Sequence, residues 1–149
     1  MEYFAHSQKV FVYKYVVMLS DTDQFKHMSF ANYLKLMFLA TDALFVLCVR
    51  GNFLSQNRFK LINSRMQFKQ QTTAGDKILI KINSSDVCPP LFSLLYTFVI
   101  EGSGALVNLG RQTYEFVDCN AQPQKIMPVE VKAVLDPIQV EESYLLYKY

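Results

Sequence analysis

The sequence predicts an α+β domain in which a five-stranded antiparallel sheet wraps around one long central helix. Residues 34–49 are nearly all apolar, and several other segments alternate apolar and polar residues, which is typical of strands. One such segment precedes the apolar run and four follow it. Because a helix that is apolar all round must be covered on most sides, a curved sheet is the natural partner for it.

The central helix is predicted over residues 30–49, a length of about 28 Å at 1.5 Å per residue. The Ser29 hydroxyl can cap the first turn, and Gly51 marks the end. A membrane span needs about 20 apolar residues, whereas this run is shorter and contains Lys35 and Asp42. We therefore expect a buried helix and no membrane span. Asp42 is open to three interpretations: pairing with a neighbouring chain, lining a pocket, or simple exposure.

The five predicted strands cover residues 9–19, 59–70, 77–82, 92–100 and 105–117. Gly102-Ser103-Gly104 predicts a tight hairpin between the last two strands. A turn is predicted at Ala74-Gly75-Asp76, and a loop at Cys88-Pro89-Pro90, because proline cannot continue a strand.

The whole chain, residues 1–149, is interpreted as one domain with its core over about 9–128. The tail at 129–149 mixes helix formers with β-branched residues and is broken by Asp136-Pro137. It receives no secondary-structure assignment.

Composition narrows the function classes. A net charge of +2 without a basic stripe argues against nucleic-acid binding. The three cysteines lack metal-site spacing, which predicts reduced thiols, a cytoplasmic protein and no metal or cofactor. The first ten residues carry no apolar signal core, which argues against secretion. The high apolar fraction, 51%, indicates a ligand cavity, an oligomer interface or a well-filled core.

The segment 20–29 places two carboxylates, a lysine and a histidine directly before the start of the helix. Helix N-termini present unpaired amides and a partial positive charge, which can polarise a carbonyl oxygen. A nearby carboxylate can activate water or attack directly. These parts suit thioester hydrolysis, although Asp and Ser before a helix also serve as caps and turn residues.

The order D-T-D-x-x-x-H-x-x-x-x-N-Y, over residues 21–33, resembles the signature of hot-dog-fold acyl thioesterases. It is similar to the 4-hydroxybenzoyl-CoA thioesterase branch and to the related acyl-carrier-protein thioesterases. Gly75-Asp76 before a strand also fits that family, as do the exit residues Val117-Asp118, Gln122-Pro123 and 126–128. The resemblance covers roughly residues 10–128.

The resemblance implies that Asp23 is the catalytic carboxylate, acting as nucleophile or general base. It implies that amides near Ser29 and Phe30 polarise the thioester carbonyl, and that His27 has a supporting role. The predicted catalytic residues are therefore Asp23, His27, Ser29 and Phe30. The predicted substrate-binding residues are Lys26, Asn32, Tyr33, Phe38 and Arg65. Asp21 is interpreted as a turn residue, while Asn32 could be a cap and Tyr33 a core aromatic.

The sequence departs from the family pattern in three respects. Lys26 stands where the family usually has glycine, so the loop could differ or the lysine could contact an anionic ligand. Phe38 replaces a glutamate found in many relatives, which predicts a more apolar acyl site. Met28-Ser29-Phe30 replaces the V-N-N that usually follows the histidine. Arg65, in the second strand, is expected to face the site across a dimer.

The predicted function is hydrolysis of an acyl thioester of coenzyme A or of an acyl carrier protein, in fatty acid or polyketide metabolism. A medium-length, long or unsaturated acyl chain fits the aromatic-rich composition. The resemblance implies a homodimer or a dimer of dimers with sites between subunits. Two alternatives stay open: a non-catalytic module that binds acyl thioesters, and a 3-hydroxyacyl thioester dehydratase, for which only His27 is available near the motif.

Overall fold

One long helix lies against one face of a six-stranded antiparallel sheet. The computed structural model describes residues 2–5, 8–48 and 57–141, with side chains over 10–46 and 58–141. The strands are β1 (Glu2–Ala5), β2 (Gln8–Val16), β3 (Asn57–Phe68), β4 (Lys77–Cys88), β5 (Leu91–Ile100) and β6 (Leu106–Asp118). The helices are α1 (Phe30–Cys48) and α2 (Val129–Leu135), with 3-10 turns at Leu19–Asp21 and Asp136–Ile138.

The sheet order is β1-β2-β4-β5-β6-β3, and every neighbouring pair is antiparallel. The predicted hot-dog arrangement of five strands around a helix is confirmed, and those five are β2 to β6. The structure adds β1 as a sixth strand at the edge beyond β2, with Tyr3 opposite Val10. No strand was predicted for these residues. The first predicted strand was also too long, because the chain leaves the sheet after Val16 and enters a 3-10 turn.

Helix α1 begins at Phe30, as predicted, and runs to Cys48. The predicted stop at Gly51 lies outside the described residues. Leu36, Met37 and Leu44 are fully buried against the inner face of the sheet. The helix approaches β6 closely at Gly110, where a Cβ atom would lie 2.7 Å from Met37 Cε. Glycine at this position therefore lets Met37 fill the space between helix and sheet.

Strand β3 forms the other edge of the sheet. Only β6 pairs with it among the described residues. A register shift between Leu61 and Asn63 bulges Ile62 out of the ladder. The side chains of Leu61, Ile62 and Phe68 are exposed, with Ile62 51% accessible. A long edge strand with exposed apolar side chains is a template for pairing with another chain.

The C-terminal segment packs back onto the core. Val131, Leu135 and Ile138 are buried. Ser84 Oγ donates to the Leu135 carbonyl at 2.6 Å, and the Val140 amide donates to the Ser84 carbonyl at 2.8 Å. The core thus extends past residue 128 to about residue 140, because α2 supplies a buried face before the Asp136-Pro137 break. None of the described helices is long and apolar enough to cross a membrane.

Leu135→Ala should lower the free energy of unfolding by about 2–5 kcal/mol, because it leaves a cavity in the core. Val129→Ala, in the same helix but 81% exposed, is the matched control and should change stability by less than about 0.5 kcal/mol. Urea unfolding followed by circular dichroism measures both. Equal effects of the two substitutions would mean that α2 does not unfold together with the sheet.

Candidate active site

A cleft of about 460 Å³ opens at the N-terminal end of α1. Three segments form it: the loop between β2 and α1, the first turn of α1, and the chain leaving β3. The lining residues are Asp23, His27, Met28, Ser29, Phe30, Tyr33, Phe68, Lys69, Gln70 and Gln71. All four predicted catalytic residues therefore lie together in one place. Among the predicted substrate-binding residues, only Tyr33 joins them.

Asp21 anchors the loop that carries the cleft residues. Its carboxylate Oδ2 accepts hydrogen bonds from Tyr15 Oη at 2.7 Å and from the Met18 amide at 2.9 Å. Its carbonyl oxygen accepts from Asn32 Nδ2 at 2.7 Å and from the Ser29 amide at 3.2 Å. Asp21 is thus bonded to β2 on one side and to the start of α1 on the other.

The Tyr15 phenol in this anchor is held in its neutral form. Burial and the hydrogen bond to Asp21 raise the pKa of Tyr15 to about 12. Asp21 therefore has a structural place, in agreement with its interpretation as a turn residue. Asn32, predicted to bind substrate, does not line the cleft; its amide is used to hold the Asp21 carbonyl.

Asp23 lies at the exposed side of the cleft with one carboxylate oxygen engaged. Its Oδ1 accepts from the Phe25 amide at 2.8 Å and from the His27 amide at 3.3 Å. These bonds fix the orientation of the side chain through a local turn. Within the described part of the chain, no residue donates to Oδ2. That oxygen is available to a water molecule or to a substrate.

The backbone between Asp23 and His27 forms a tight, closed turn. The Asp23 amide donates to the His27 carbonyl at 2.8 Å, and the Lys26 amide donates to the Asp23 carbonyl at 2.9 Å. Lys26 adopts a positive φ of 63°, a conformation that favours glycine. The loop shape expected of a family glycine is therefore present with a lysine in its place. The exposed Lys26 side chain does not line the cleft.

The backbone amides at the start of α1 differ in whether they have a hydrogen-bond acceptor. The Ser29 amide is occupied by the Asp21 carbonyl, and the Asn32 amide donates to the Ser29 carbonyl at 3.1 Å. The Phe30 amide, at the first helical residue, has no acceptor among the described residues. Of the two amides predicted to polarise a carbonyl, only that of Phe30 is open, and it lies at the positive end of the helix dipole.

Aromatic side chains make the inner wall of the cleft. Tyr33 is 2% exposed, and its hydroxyl pairs with Thr72 Oγ1 at 2.8 Å. Burial raises the pKa of Tyr33. The Phe68 ring contacts both Tyr33 and Phe30, with ring centroids 4.9 Å and 5.2 Å apart. This wall suits an apolar acyl group.

Two predicted binding residues lie elsewhere in the same chain. Phe38 lies two turns further along α1 and lines a second cavity of about 240 Å³. Arg65 on β3 lies opposite Arg111 on β6, with Asn63 and Thr113 beside them. Because Gln112 on β6 is buried next to α1, its neighbour Arg111 and hence Arg65 point to the opposite face of the sheet.

No site residue was predicted in the stretch 68–71, which supplies four of the residues that line the cleft. Nothing local marks these residues as part of a site. The pairing of β3 in the sheet brings these residues to the cleft. The Met28 amide also holds the chain just beyond them, because it donates to the Thr72 carbonyl at 3.0 Å. Among the described residues, no group of His, Cys, Asp and Glu side chains could hold a metal ion.

Lys26→Gly should stabilise the protein by about 0.5–1 kcal/mol, because it removes the cost of a left-handed residue that carries a Cβ. Lys26→Ala is the matched control, since it deletes the charge but keeps the Cβ atom, and it should give no such gain. Thermal unfolding at one fixed pH compares the three proteins. A gain in the alanine variant equal to that in the glycine variant would assign the effect to charge instead of backbone conformation.

Solved structures of known proteins share this architecture. The Dynemicin thioesterase aligns with a TM-score of 0.80 at 17% identity, covering 88% of this chain and 98% of that one. The 1,4-dihydroxy-2-naphthoyl-CoA thioesterase from Synechocystis aligns with a TM-score of 0.77 at 17% identity, covering 85% and 96%. The protein SAV2348 from Staphylococcus aureus, solved in complex with CoA, aligns at 0.77 and 14% identity, covering 89% and 85%.

At these identities the likeness establishes the hot-dog fold. No curated protein sequence matches the chain. The model of the thioesterase-like superfamily matches residues 17–135, which include the loop, the cleft and α2. The chain therefore belongs to the thioesterase-like superfamily, which confirms both the family and the enzyme class, a thioester hydrolase, that its sequence predicts.

Proposed function

We propose that the chain hydrolyses an acyl thioester, with the thioester bound in the cleft at the start of α1. The observation that carries this proposal is that Asp23, with one carboxylate oxygen that accepts no bond from the described residues, and Phe30, with an open amide, line the same cleft. The first supplies a base or nucleophile, and the second supplies a donor for the carbonyl oxygen.

In the proposed reaction, the thioester oxygen accepts from the Phe30 amide, where the helix dipole stabilises developing negative charge. Asp23 Oδ2 takes a proton from water while the water oxygen bonds to the carbonyl carbon. The carbon–sulfur bond then breaks, and the proton passes to the departing thiolate. Direct attack by Asp23 on the carbonyl carbon, followed by hydrolysis of the resulting anhydride, gives the same acid and thiol.

The residues that line the cleft favour a substrate with an apolar acyl group attached to an anionic carrier. Phe30, Tyr33 and Phe68 form the apolar wall, and the exposed Lys69 also lines the cleft. Coenzyme A and acyl carrier proteins are both anionic, so Lys69 suits either. The Staphylococcus aureus relative in complex with CoA and the naphthoyl-CoA thioesterase from Synechocystis favour coenzyme A.

The proposed active form is a homodimer that pairs two β3 strands. The β3 edge lacks a second strand partner among the described residues, and the apolar side chains of Leu61 and Ile62 are exposed along it. On α1, Phe38 and Val46 add exposed apolar surface beside this edge. Antiparallel pairing about a two-fold axis would continue the sheet from one subunit into the other and cover these side chains.

Asp23→Asn should lower kcat/KM by about 10²- to 10⁴-fold, because it removes a positioned base while keeping an oxygen that can accept the two turn amides. Thiol release from a panel of acyl-CoA and acyl-carrier-protein thioesters measures the loss. Asp118→Asn is the matched control. Asp118 Oδ1 also accepts two backbone amides, those of Asn120 and Gln122, in a turn beyond the far end of β6.

Full activity in Asp23→Asn would mean that the Phe30 amide and a bound water molecule are sufficient for hydrolysis without the carboxylate. A folded wild-type protein that binds acyl thioesters without releasing thiol would favour the binding-module alternative. The dehydratase alternative needs a histidine and an acidic residue across the site, and among the described residues His27 is the only histidine that lines the cleft.

Ile62→Lys should convert the dimer to a monomer, because it places a charge in the middle of the proposed β3 interface. Val129→Lys also replaces an exposed β-branched residue with lysine, but on α2, outside the proposed interface, and should leave the dimer intact. Sedimentation velocity at several concentrations measures the oligomeric state. A dimer that persists in Ile62→Lys would place the subunit interface elsewhere.

A further inference from the structure

Asn108 on β6 carries a buried side-chain amide without hydrogen-bond partners. The residue is fully buried, yet neither Oδ1 nor Nδ2 is bonded to any of the described residues. Gln112, four residues further along the strand and on the same face of the sheet, is satisfied at both atoms. Its Oε1 accepts from Tyr96 and Tyr114, and its Nε2 donates to Ser64 at 3.3 Å. Since burying an unpartnered amide is unfavourable, Asn108 calls for a specific explanation.

Strand pairing places the Asn108 side chain behind the wall of the cleft. Asn108 lies opposite Phe68 on β3 and opposite Phe98 on β5. Opposed side chains share one face of a sheet, with Cβ atoms about 5 Å apart. Both rings contact Tyr33, at centroid distances of 4.9 Å for Phe68 and 5.9 Å for Phe98. Because Phe68 and Tyr33 line the cleft, the amide of Asn108 lies next to the residues that form its aromatic wall.

A β-bulge in β6 joins the neighbour of Asn108 to the cleft. The register between β5 and β6 shifts at this point, which leaves Val107 as an extra residue in β6. The Val107 carbonyl accepts from the Lys69 amide at 2.9 Å and from the Gln70 amide at 3.3 Å. Lys69 and Gln70 both line the cleft. Bulges occur often beside active sites, where they change the direction of a side chain.

Of the two cleft residues next to Asn108, Phe68 has the greater freedom to move. It is the last residue of β3, at the edge of the sheet, and is 40% exposed. Tyr33 is buried, and its hydroxyl is bonded to Thr72. Exposed side chains change rotamer rapidly, whereas a buried and bonded ring is held in place. A change of the Phe68 rotamer is therefore the simplest route from the cleft to the Asn108 amide.

We propose that Asn108 is a specificity residue of the cleft, where it binds an oxygen substituent on an acyl group that displaces the Phe68 ring. The proposal rests on the proposed hydrolysis of acyl thioesters and narrows its substrate class to otherwise apolar acyl groups that carry an oxo or hydroxyl group. Nδ2 can donate to either substituent, and Oδ1 can accept from a hydroxyl. A plain acyl chain leaves the buried amide unpartnered. Asn108 takes no part in bond breaking.

The test uses sets of acyl-CoA thioesters of one chain length: a plain member, and members with one oxo or one hydroxyl group at successive positions. The measured quantity is the ratio of kcat/KM for a substituted member to that for the plain member. At the best position, Asn108→Leu should lower this ratio by about 10-fold, the effect of one hydrogen bond of ordinary strength. Differences in intrinsic reactivity cancel, because the same thioesters are used with both proteins. Asn108→Ala, which adds no atoms to the core, should lower the ratio as well.

Thr97→Val is the matched control. Thr97 on β5 is also buried, and its Oγ1 has no hydrogen-bond partner in the part of the chain that the structure describes. It alternates with Phe98, so its side chain points to the opposite face of the sheet. Thr97→Val should leave the ratio within about 2-fold of the wild type. Phe68→Ala removes the ring that is displaced in this scheme, so it should keep the ratio at the wild-type level or above.

Two results would overturn the proposal. The first is a ratio that stays within about 2-fold of the wild type in both Asn108 variants at every substituent position. The second is an equal fall of the ratio in Thr97→Val, which would assign the effect to packing in the sheet. Loss of the ratio in Phe68→Ala would contradict the displacement of the ring, since the ring itself would then recognise the substituent.

Binding separates this proposal from the proposed hydrolysis. Non-hydrolysable thioether analogues of the same sets are titrated calorimetrically into the wild type and Asn108→Leu. If no thioester is turned over, hydrolysis fails, but an affinity preference for a substituted analogue that Asn108→Leu abolishes still supports recognition by Asn108. If thioesters are turned over and Asn108→Leu changes neither the kinetic ratio nor the affinity preference, the Asn108 proposal alone fails.

Discussion

The geometry of the site depends on the four hydrogen bonds that Asp21 accepts. Two of them tie its carboxylate to the end of β2 and the residues after it, and two tie its carbonyl to the first turn of α1. The loop between strand and helix is therefore fixed at its first residues as well as at its last. Asp23 and Phe30, which lie in and directly after this loop, line the same cleft.

This anchoring changes how the sequence signature is understood. From the sequence, Asn32 and Tyr33 are predicted to bind substrate, whereas Asp21 is interpreted as a turn residue. In the structure, Asn32 holds the Asp21 carbonyl and Tyr33 pairs with Thr72 on the segment after β3. Most residues of the motif thus hold the loop and the start of α1 in place. Asp23 is oriented by its own turn, and its second carboxylate oxygen accepts no hydrogen bond from the residues that the structure describes.

The sequence was sufficient for the helix and for five strands, because both signals are local. Residues 34–49 have no polar face, and strands such as β4 show a clear period of two. The short strand β1 and helix α2 lack such a signal, since each depends on contacts made only in the folded chain. Strand β1 pairs with the next strand, β2, and α2 accepts a hydrogen bond from the distant strand β4. For the same reason the cleft residues 68–71 could not be found. They follow an edge strand, and only the folded chain brings them to α1.

The Tyr15 phenol gives the anchor a defined response to alkali. Its pKa is raised to about 12 in the folded protein, against an ordinary value of about 10. A group whose pKa is raised on folding contributes stability below its unfolded value, and that contribution is lost as the pH rises through the folded value. The bond from Tyr15 to Asp21 is thus fully present up to about pH 10 and lost towards pH 12. If the rate of the proposed thioester hydrolysis changes at a pH well below 10, groups other than the Tyr15 phenol are therefore titrating.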